Sequence, residues 1–379
     1  MTRPVDFSVG LTDPACFPTE ELAEAAARAI REIGDDFIFY PGGLGHLGLR
    51  EILAARESKR ESMEIPAEHV ALFNGSMQAV TLVARVLMEK SGDAIVTEEL
   101  TYSGTINAYK GLGARLVGVP VDEHGMRVDV LDRTLSQLEA DGSPAKFVYA
   151  LPTYQNPTGT VMPLERRREL LEVARSHQIL VVEDNCYGDV HFDGDIPPSI
   201  YSLAEPGEVL YICSLSKIFA AGLRLGYMVG PPQLLEPIVD KRFDAGHSVL
   251  SAAIASAFLD GHLWDHVEMH NASLRQKRDA LVEGLETHSD LWQFVTPVGG
   301  LFLWLELPQE TDIDLLHQLG AQRGVISGRG CNFHIHGDEI PYVRLAFGFP
   351  TVEEITRAIP ILAECVREAA GLNLQRASL

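Results

Sequence analysis

Between residues 69 and 229, short apolar, β-rich runs alternate with longer amphipathic stretches, and this alternation restricts the fold more than any other feature of the chain. The runs are His69–Asn74, Ala94–Glu98, Arg115–Val119, Phe147–Leu151, Leu180–Glu183 and Leu210–Cys213. Strands buried on both faces read as near-continuous apolar runs, and they are typically parallel strands joined by crossover helices. Helical patterns lie between them at Met77–Glu89, Val130–Glu139 and Leu164–Ser176, the last opening after Pro163 with an acid in its first turn. The expected architecture is therefore α/β, a mostly parallel sheet covered by helices.

After Gly261 the texture changes to a long charged helical stretch, Leu263–His288, then apolar runs at Leu301–Leu307 and Tyr342–Phe347 and a helix at Val352–Ala369. A chain of 379 residues exceeds what one core usually serves. The expected division is an N-terminal arm and helix over 1–35, a large ligand-binding domain over 36–262, and a small α+β domain over 263–379. The arm, with a helix from Thr19 to Glu32, is expected to pack on the small domain or on a partner subunit. No internal repeat or low-complexity segment is present.

Lys and Arg number 31 against 53 Asp and Glu, a net charge of −22 that repels nucleic acid and anionic membranes. The five cysteines are an odd count without CxxC spacing, which suits buried thiols in a reducing compartment and disfavours zinc. The first 20 residues lack the basic start and apolar core of an export signal. No apolar run approaches the roughly 20 residues needed to span a bilayer, so a cytoplasmic protein is expected.

Four motifs carry chemistry. Ser214-Leu215-Ser216-Lys217 follows an apolar run and is followed by Arg224. A lysine at a strand end can be partly buried and so become a nucleophile toward an aldehyde, while two hydroxyls and a guanidinium suit a phosphate dianion. Glu183-Asp184-Asn185-Cys186-Tyr187 ends another run, where open α/β sheets place ligands. Asp184 could hold a protonated pyridine nitrogen there, and Tyr187 a phenolate oxygen. Asn74-Gly75-Ser76-Met77 leads from strand to helix and can aim backbone N–H groups at a phosphate. Gln155-Asn156-Pro157-Thr158-Gly159 presents the amide of Asn156. Each has an ordinary reading alone: a solvated lysine, a helix-capping acid, a strand-to-helix turn, a plain turn. Together they lie at the carboxyl ends of expected parallel strands and supply different parts of one cofactor.

On these motifs the chain, from about Phe7 onward, resembles the fold-type I pyridoxal 5′-phosphate (PLP) enzymes, specifically class I/II aminotransferases near the 2-aminoadipate and aromatic enzymes. The resemblance implies the aspartate-aminotransferase-like fold, with Lys217 forming the Schiff base and Asp184, Tyr187 and Asn156 around the ring. It implies Tyr102 stacked on the ring face, and Gly75, Ser76, Met77, Ser214, Ser216 and Arg224 on the phosphate. Arg344, in Val343-Arg344-Leu345, matches the arginine that holds the substrate α-carboxylate, and Gly10 matches a loop beside it. Tyr40 resembles a tyrosine that reaches the phosphate of the neighbouring subunit, which implies a homodimer with a shared site.

The implied reaction is amino-group transfer between an L-amino acid and a 2-oxo acid, 2-oxoglutarate or pyruvate, by a ping-pong route. The same residues suit a PLP lyase, decarboxylase or oxidase. Val5-Asp6-Phe7 and Val119–Gly125 also resemble the effector domain of MocR-type regulators, which the acidic charge and early start of the motifs disfavour here. His46, Gly48, Leu100, Cys186 and Ala221 replace residues frequent in the family, and the N-terminal lid helix of many members is not expected here, departures that bear on pocket shape. His247, His334 and His336 lack metal-ligand spacing, and no metal is expected.

Overall fold

Six strands lie in one sheet pointing the same way, and a seventh runs against them. The computed structural model describes residues 3–372; residues 1–2 and 373–379, the outer ends of the first and last expected segments, lie outside the described residues. The sheet has the order Val70–Asn74, Leu225–Val229, Val209–Ser214, Leu180–Asp184, Ala145–Ala150, Ala94–Glu98, Arg115–Val119. All pairings are parallel except those of Leu225–Val229, which is antiparallel to both neighbours. Its Leu-Gly-Tyr-Met-Val run is as apolar as the others, and only its place between two strands shows its direction.

Alternate residues of each strand enter cores on opposite faces. Phe147, Tyr149, Val182 and Ile212 join Val80 and Val83 of helix Ser76–Leu87 on one face. Val148, Ala150 and Val181 join Leu131, Leu135, Leu170 and Leu171 of helices Val128–Ala140 and Leu164–Ser176 on the other. The helix expected to end at Glu89 stops at Leu87, because Met88 is extended and Asp93 Oδ2 accepts the amides of Glu89 and Lys90 at 2.7 and 3.1 Å.

Further along, Phe302–Glu306, Tyr342–Ala346 and Gly328–Arg329 form a three-stranded antiparallel sheet, and helix Leu263–Glu286 packs on Val352–Ala369. Val5–Asp6 pairs in parallel with Val325–Ile326, while helix Thr19–Ile33 lies against Val249–Leu259. The first strand thus joins the expected small domain, whereas the helix departs from the expectation by packing on Val249–Leu259 of the expected large domain, so the first residues tie the two regions together. Among the described residues no helix is long and apolar enough to cross a membrane. Cys213 and Cys365 are buried as expected, whereas Cys16, Cys186 and Cys331 are half-buried. Cys186 departs from the expectation because it follows Asp184 out of the sheet into an open cavity.

Candidate active site

The direction of Leu225–Val229 has a direct consequence for the site. Because this strand runs back, the loop from Ser214 to Arg224 begins and ends at the carboxyl edge of the six co-directional strands, so Ser214, Ser216, Lys217 and Arg224 stay together there. Asp184 closes its strand at the same edge and Asn74 leads into helix Ser76–Leu87 beside it. A cavity of about 400 Å³ opens at this edge, bounded on its other side by Ser8–Leu11, Phe302 and Arg344. Of the residues singled out from the sequence, Gly10, Ser76, Met77, Tyr102, Asn156, Asp184, Tyr187, Ser214, Ser216, Lys217, Arg224 and Arg344 line it.

Lys217 Nζ donates to the carbonyl of Gly10 at 2.7 Å. Burial first, and then the positive charge of Arg344 and Arg224, lowers its pKa below the usual lysine value. Asp184 is buried, and burial raises its pKa, with Cys186 and Tyr149 acting in the opposite direction. Its Oδ2 accepts from the Tyr149 hydroxyl at 2.6 Å, while Oδ1 is buried without a partner. A buried carboxylate oxygen without a donor is costly, so the site calls for an N–H at that point.

Arg344 is sandwiched between the rings of Phe302 and Phe333, 4.2 and 4.4 Å from their centroids. It donates through Nη1 to Asn156 Oδ1 at 2.9 Å and through Nη2 to the Ser8 carbonyl at 2.6 Å. Arginine has no acceptor, so this contact orients the Asn156 amide and turns its Nδ2 toward the Tyr187 hydroxyl at 3.3 Å. Among the described residues no acid pairs with Arg344, its Nε has no partner, and burial pulls its pKa down to about 10. A guanidinium held this way is ready for an anion.

The other end of the cavity is a backbone cup. Gly75 has φ +81 and caps helix Ser76–Leu87, and a Cβ there would lie 2.4 Å from Arg224 Nη2. A Cβ on Gly226 would lie 2.3 Å from the Ser76 nitrogen. Arg224 itself is exposed, has left-handed backbone at φ 55, and makes only long contacts of 3.4 and 3.5 Å with two carbonyls. Its guanidinium is thus available beside the helix N-terminus, a suitable arrangement for a phosphate.

A profile of the family "Aminotransferase class I and II" matches residues 4–362. This chain belongs to the class I and II aminotransferases. It is 33% identical over 370 residues to aromatic-amino-acid aminotransferase 1 of Thermococcus litoralis, covering 96% of this chain and 88% of that protein. The crystal structure of LysN, the α-aminoadipate aminotransferase of Thermus thermophilus, complexed with N-(5′-phosphopyridoxyl)-L-leucine, superposes with TM-score 0.90 at 29% identity, covering 98% of this chain and 94% of that one. The HTH-type transcriptional regulator NorG of Staphylococcus aureus is 26% identical over 360 residues, 94% of this chain and 79% of the regulator. The chain has the aspartate-aminotransferase-like fold and is a PLP-dependent aminotransferase acting on small-molecule amino and 2-oxo acids.

The aminotransferase's own residues suit PLP: an unpartnered carboxylate oxygen for a ring nitrogen, a lysine amine of lowered pKa for an aldehyde, and a backbone cup with a guanidinium for a phosphate. Tyr40 is not in this cavity and is 81% exposed, and Gly75 stands just behind the lining at the helix cap. His247 and His334 are packed residues that do not line the cavity. Sequence reading missed Tyr149 and the aromatic pair Phe302 and Phe333. It also missed Ser8, whose part is played by its backbone carbonyl. Tyr149 could have been found from period-two alternation, which puts it on the same sheet face as Asp184.

Proposed function

We propose that Lys217 is the covalent and proton-transferring residue of this aminotransferase, and that the cavity residues divide as follows. Asp184 holds the ring nitrogen, Tyr187 and Asn156 the ring oxygen, and Tyr102 covers the ring face. Gly75, Ser76, Met77, Ser214, Ser216 and Arg224 bind the phosphate. Arg344 takes the substrate α-carboxylate, with Asn156 and the Gly10 backbone beside it. PLP, when bound, supplies an electron sink for the pair left behind when the Cα proton departs. Lys217 Nζ, whose pKa burial lowers, would accept that proton and carry it back to the bound molecule as the transfer is completed. The Arg344 fork fixes the carboxylate so that the Cα–H points at Lys217.

The amino donor reacts before the acceptor in a ping-pong sequence, with 2-oxoglutarate or pyruvate as the acceptor. The exposed Tyr40 supports a homodimer in which it reaches the partner's phosphate site. The division into a large domain over 36–262 and a small one over 263–379 is supported by the separation of the seven-stranded sheet from the three-stranded one, and the 1–35 arm touches both, through Val5–Asp6 on Val325–Ile326 and helix Thr19–Ile33 on Val249–Leu259. Free cysteines and the acidic charge support a cytoplasmic location.

The observation that carries this reading is the partly buried Lys217 amine in one cavity with an unpartnered Asp184 oxygen and an acid-free Arg344. The test is the visible spectrum of purified protein titrated with single amino acids, with and without air, beside Lys217→Ala. A yellow protein bleached by one amino acid and restored by a 2-oxo acid, with Lys217→Ala inert, is the expected result. Oxygen uptake, carbon dioxide or ammonia without that half-reaction moves the chemistry to an oxidase, decarboxylase or lyase.

A further inference from the structure

Asp184 has two oxygens with different surroundings, and the sheet register explains why. Tyr149 is paired with Val182, and Asp184 stands two residues further along the same strand on the same face. The long phenol reaches this diagonal neighbour and donates to Oδ2 at 2.6 Å. Its hydroxyl has one proton, so the contact of 3.0 Å with Thr105 Oγ1 has Thr105 as donor. The result is a one-way relay of donors, Thr105 to Tyr149 to Asp184, with Thr105 and Tyr149 fully buried.

The phenol is also locked by packing. Tyr109, one turn beyond Thr105 in helix Ser103–Gly111, meets its ring edge-to-face at 5.8 Å and 88°. No cation touches Asp184 among the described residues: its neighbours are Tyr149, Cys186 and, further off, the buried acid Glu98. Tyr149 is therefore the one side chain holding Oδ2 in a full hydrogen bond. This leaves Oδ1, which is buried, without a hydrogen-bond partner on a residue that borders the cavity.

We propose that Tyr149 is a positioning residue for transamination: by donating to Oδ2, and being held in turn by Thr105, it keeps Asp184 ionised and aims Oδ1 at the cofactor ring nitrogen. The proposal rests on the reading that Asp184 faces that nitrogen. Hydrogen bonds to a charged acceptor strengthen one another along a chain and stabilise the ionised form. Without the phenol the carboxyl would retain its proton more readily and turn more freely, and the ring nitrogen would lose its charge.

The test compares reconstitution of the apo-forms of wild type, Tyr149→Phe, Thr105→Val and Asp184→Ala with PLP and with its 1-deaza analogue, whose ring has carbon in place of nitrogen. The expected result is that Tyr149→Phe binds PLP about tenfold more weakly, the scale of one charge-assisted hydrogen bond, and the deaza analogue as wild type does. The ¹⁵N resonance of ring-labelled PLP should move toward the unprotonated position in the same variant. Thr105→Val should shift both readouts in the same direction by less, and it serves if Tyr149→Phe does not fold. Equal weakening for both cofactors means a merely structural tyrosine and overturns the proposal, as does no change in either. Asp184→Ala separates the two readings: if wild type does not prefer PLP over the analogue, or Asp184→Ala keeps that preference, the Asp184 reading itself has failed.

Discussion

Replacing Arg344 with lysine keeps the charge and removes the fork, which makes it a sharp test of how the site recognises its substrate. The guanidinium has five N–H donors, of which one on Nη1 serves Asn156 and one on Nη2 serves Ser8. Three remain for a carboxylate, and the Phe302 and Phe333 rings hold the plane in which they lie. A lysine ammonium has three donors in all and no plane to be clamped. Keeping Asn156 and Ser8 satisfied leaves one for the substrate, so at least one charge-assisted hydrogen bond is lost. Such a bond is worth about 1.5–3 kcal/mol, which is a fall of roughly 10- to 200-fold in kcat/KM for Arg344→Lys. The assay is the rate of the amino-acid half-reaction, measured beside that of the corresponding primary amine lacking the α-carboxylate. The amine should react at the wild-type rate. An equal fall for amine and amino acid, or no fall at all, would refute the assignment of Arg344 to the carboxylate.

Two further outcomes follow from buried groups. Glu98 is 1% exposed, and burial raises its pKa to about 8, with only the Leu151 amide and weaker local contacts opposing this. The folded state therefore retains a proton that the unfolded chain releases above the ordinary value of 4.5, so stability is lost as pH rises from 4.5 to about 8. Glu98→Gln should remove this loss, its advantage over wild type in urea denaturation growing by roughly 1.4 kcal/mol per pH unit across that window; parallel pH profiles would show that Glu98 is ionised in the fold. Gly226→Ala would place a methyl 2.3 Å from the Ser76 nitrogen and 2.6 Å from the Gly75 carbonyl carbon, contacts with backbone that cannot swing aside. It should lower stability by about 1–3 kcal/mol and weaken PLP binding at the phosphate end, as read by calorimetry and cofactor titration, and unchanged affinity would mean that the cup is not the phosphate site.

The parts of the site that could be read in sequence were those where chemistry and strand end coincide. Asp184, Lys217 and the Gly75–Met77 turn each follow an apolar run, and a run ending in a reactive or flexible residue is visible locally. Arg344 was reached by resemblance, since a single arginine in an apolar strand has no local signature. Tyr149 was passed over because an aromatic residue inside a buried strand looks like core, and most of its ring is core. Only its hydroxyl, facing a carboxylate on the adjacent strand, gives it a second role.

The sequence by itself determined the class of fold, because the apolar period of a buried strand and that of a packed helix are local properties of hydrogen-bonded backbone. It also determined which residue types were available to bind a phosphate, an aldehyde and a carboxylate. Tertiary structure decided the direction of Leu225–Val229, the convergence of Ser8–Leu11 and Arg344 on the sheet edge, and which Asp184 oxygen was left without a donor. These depend on contacts between segments far apart in the chain. Strand direction and side-chain partners are set by which surfaces bury one another, and no window of neighbouring residues contains that information.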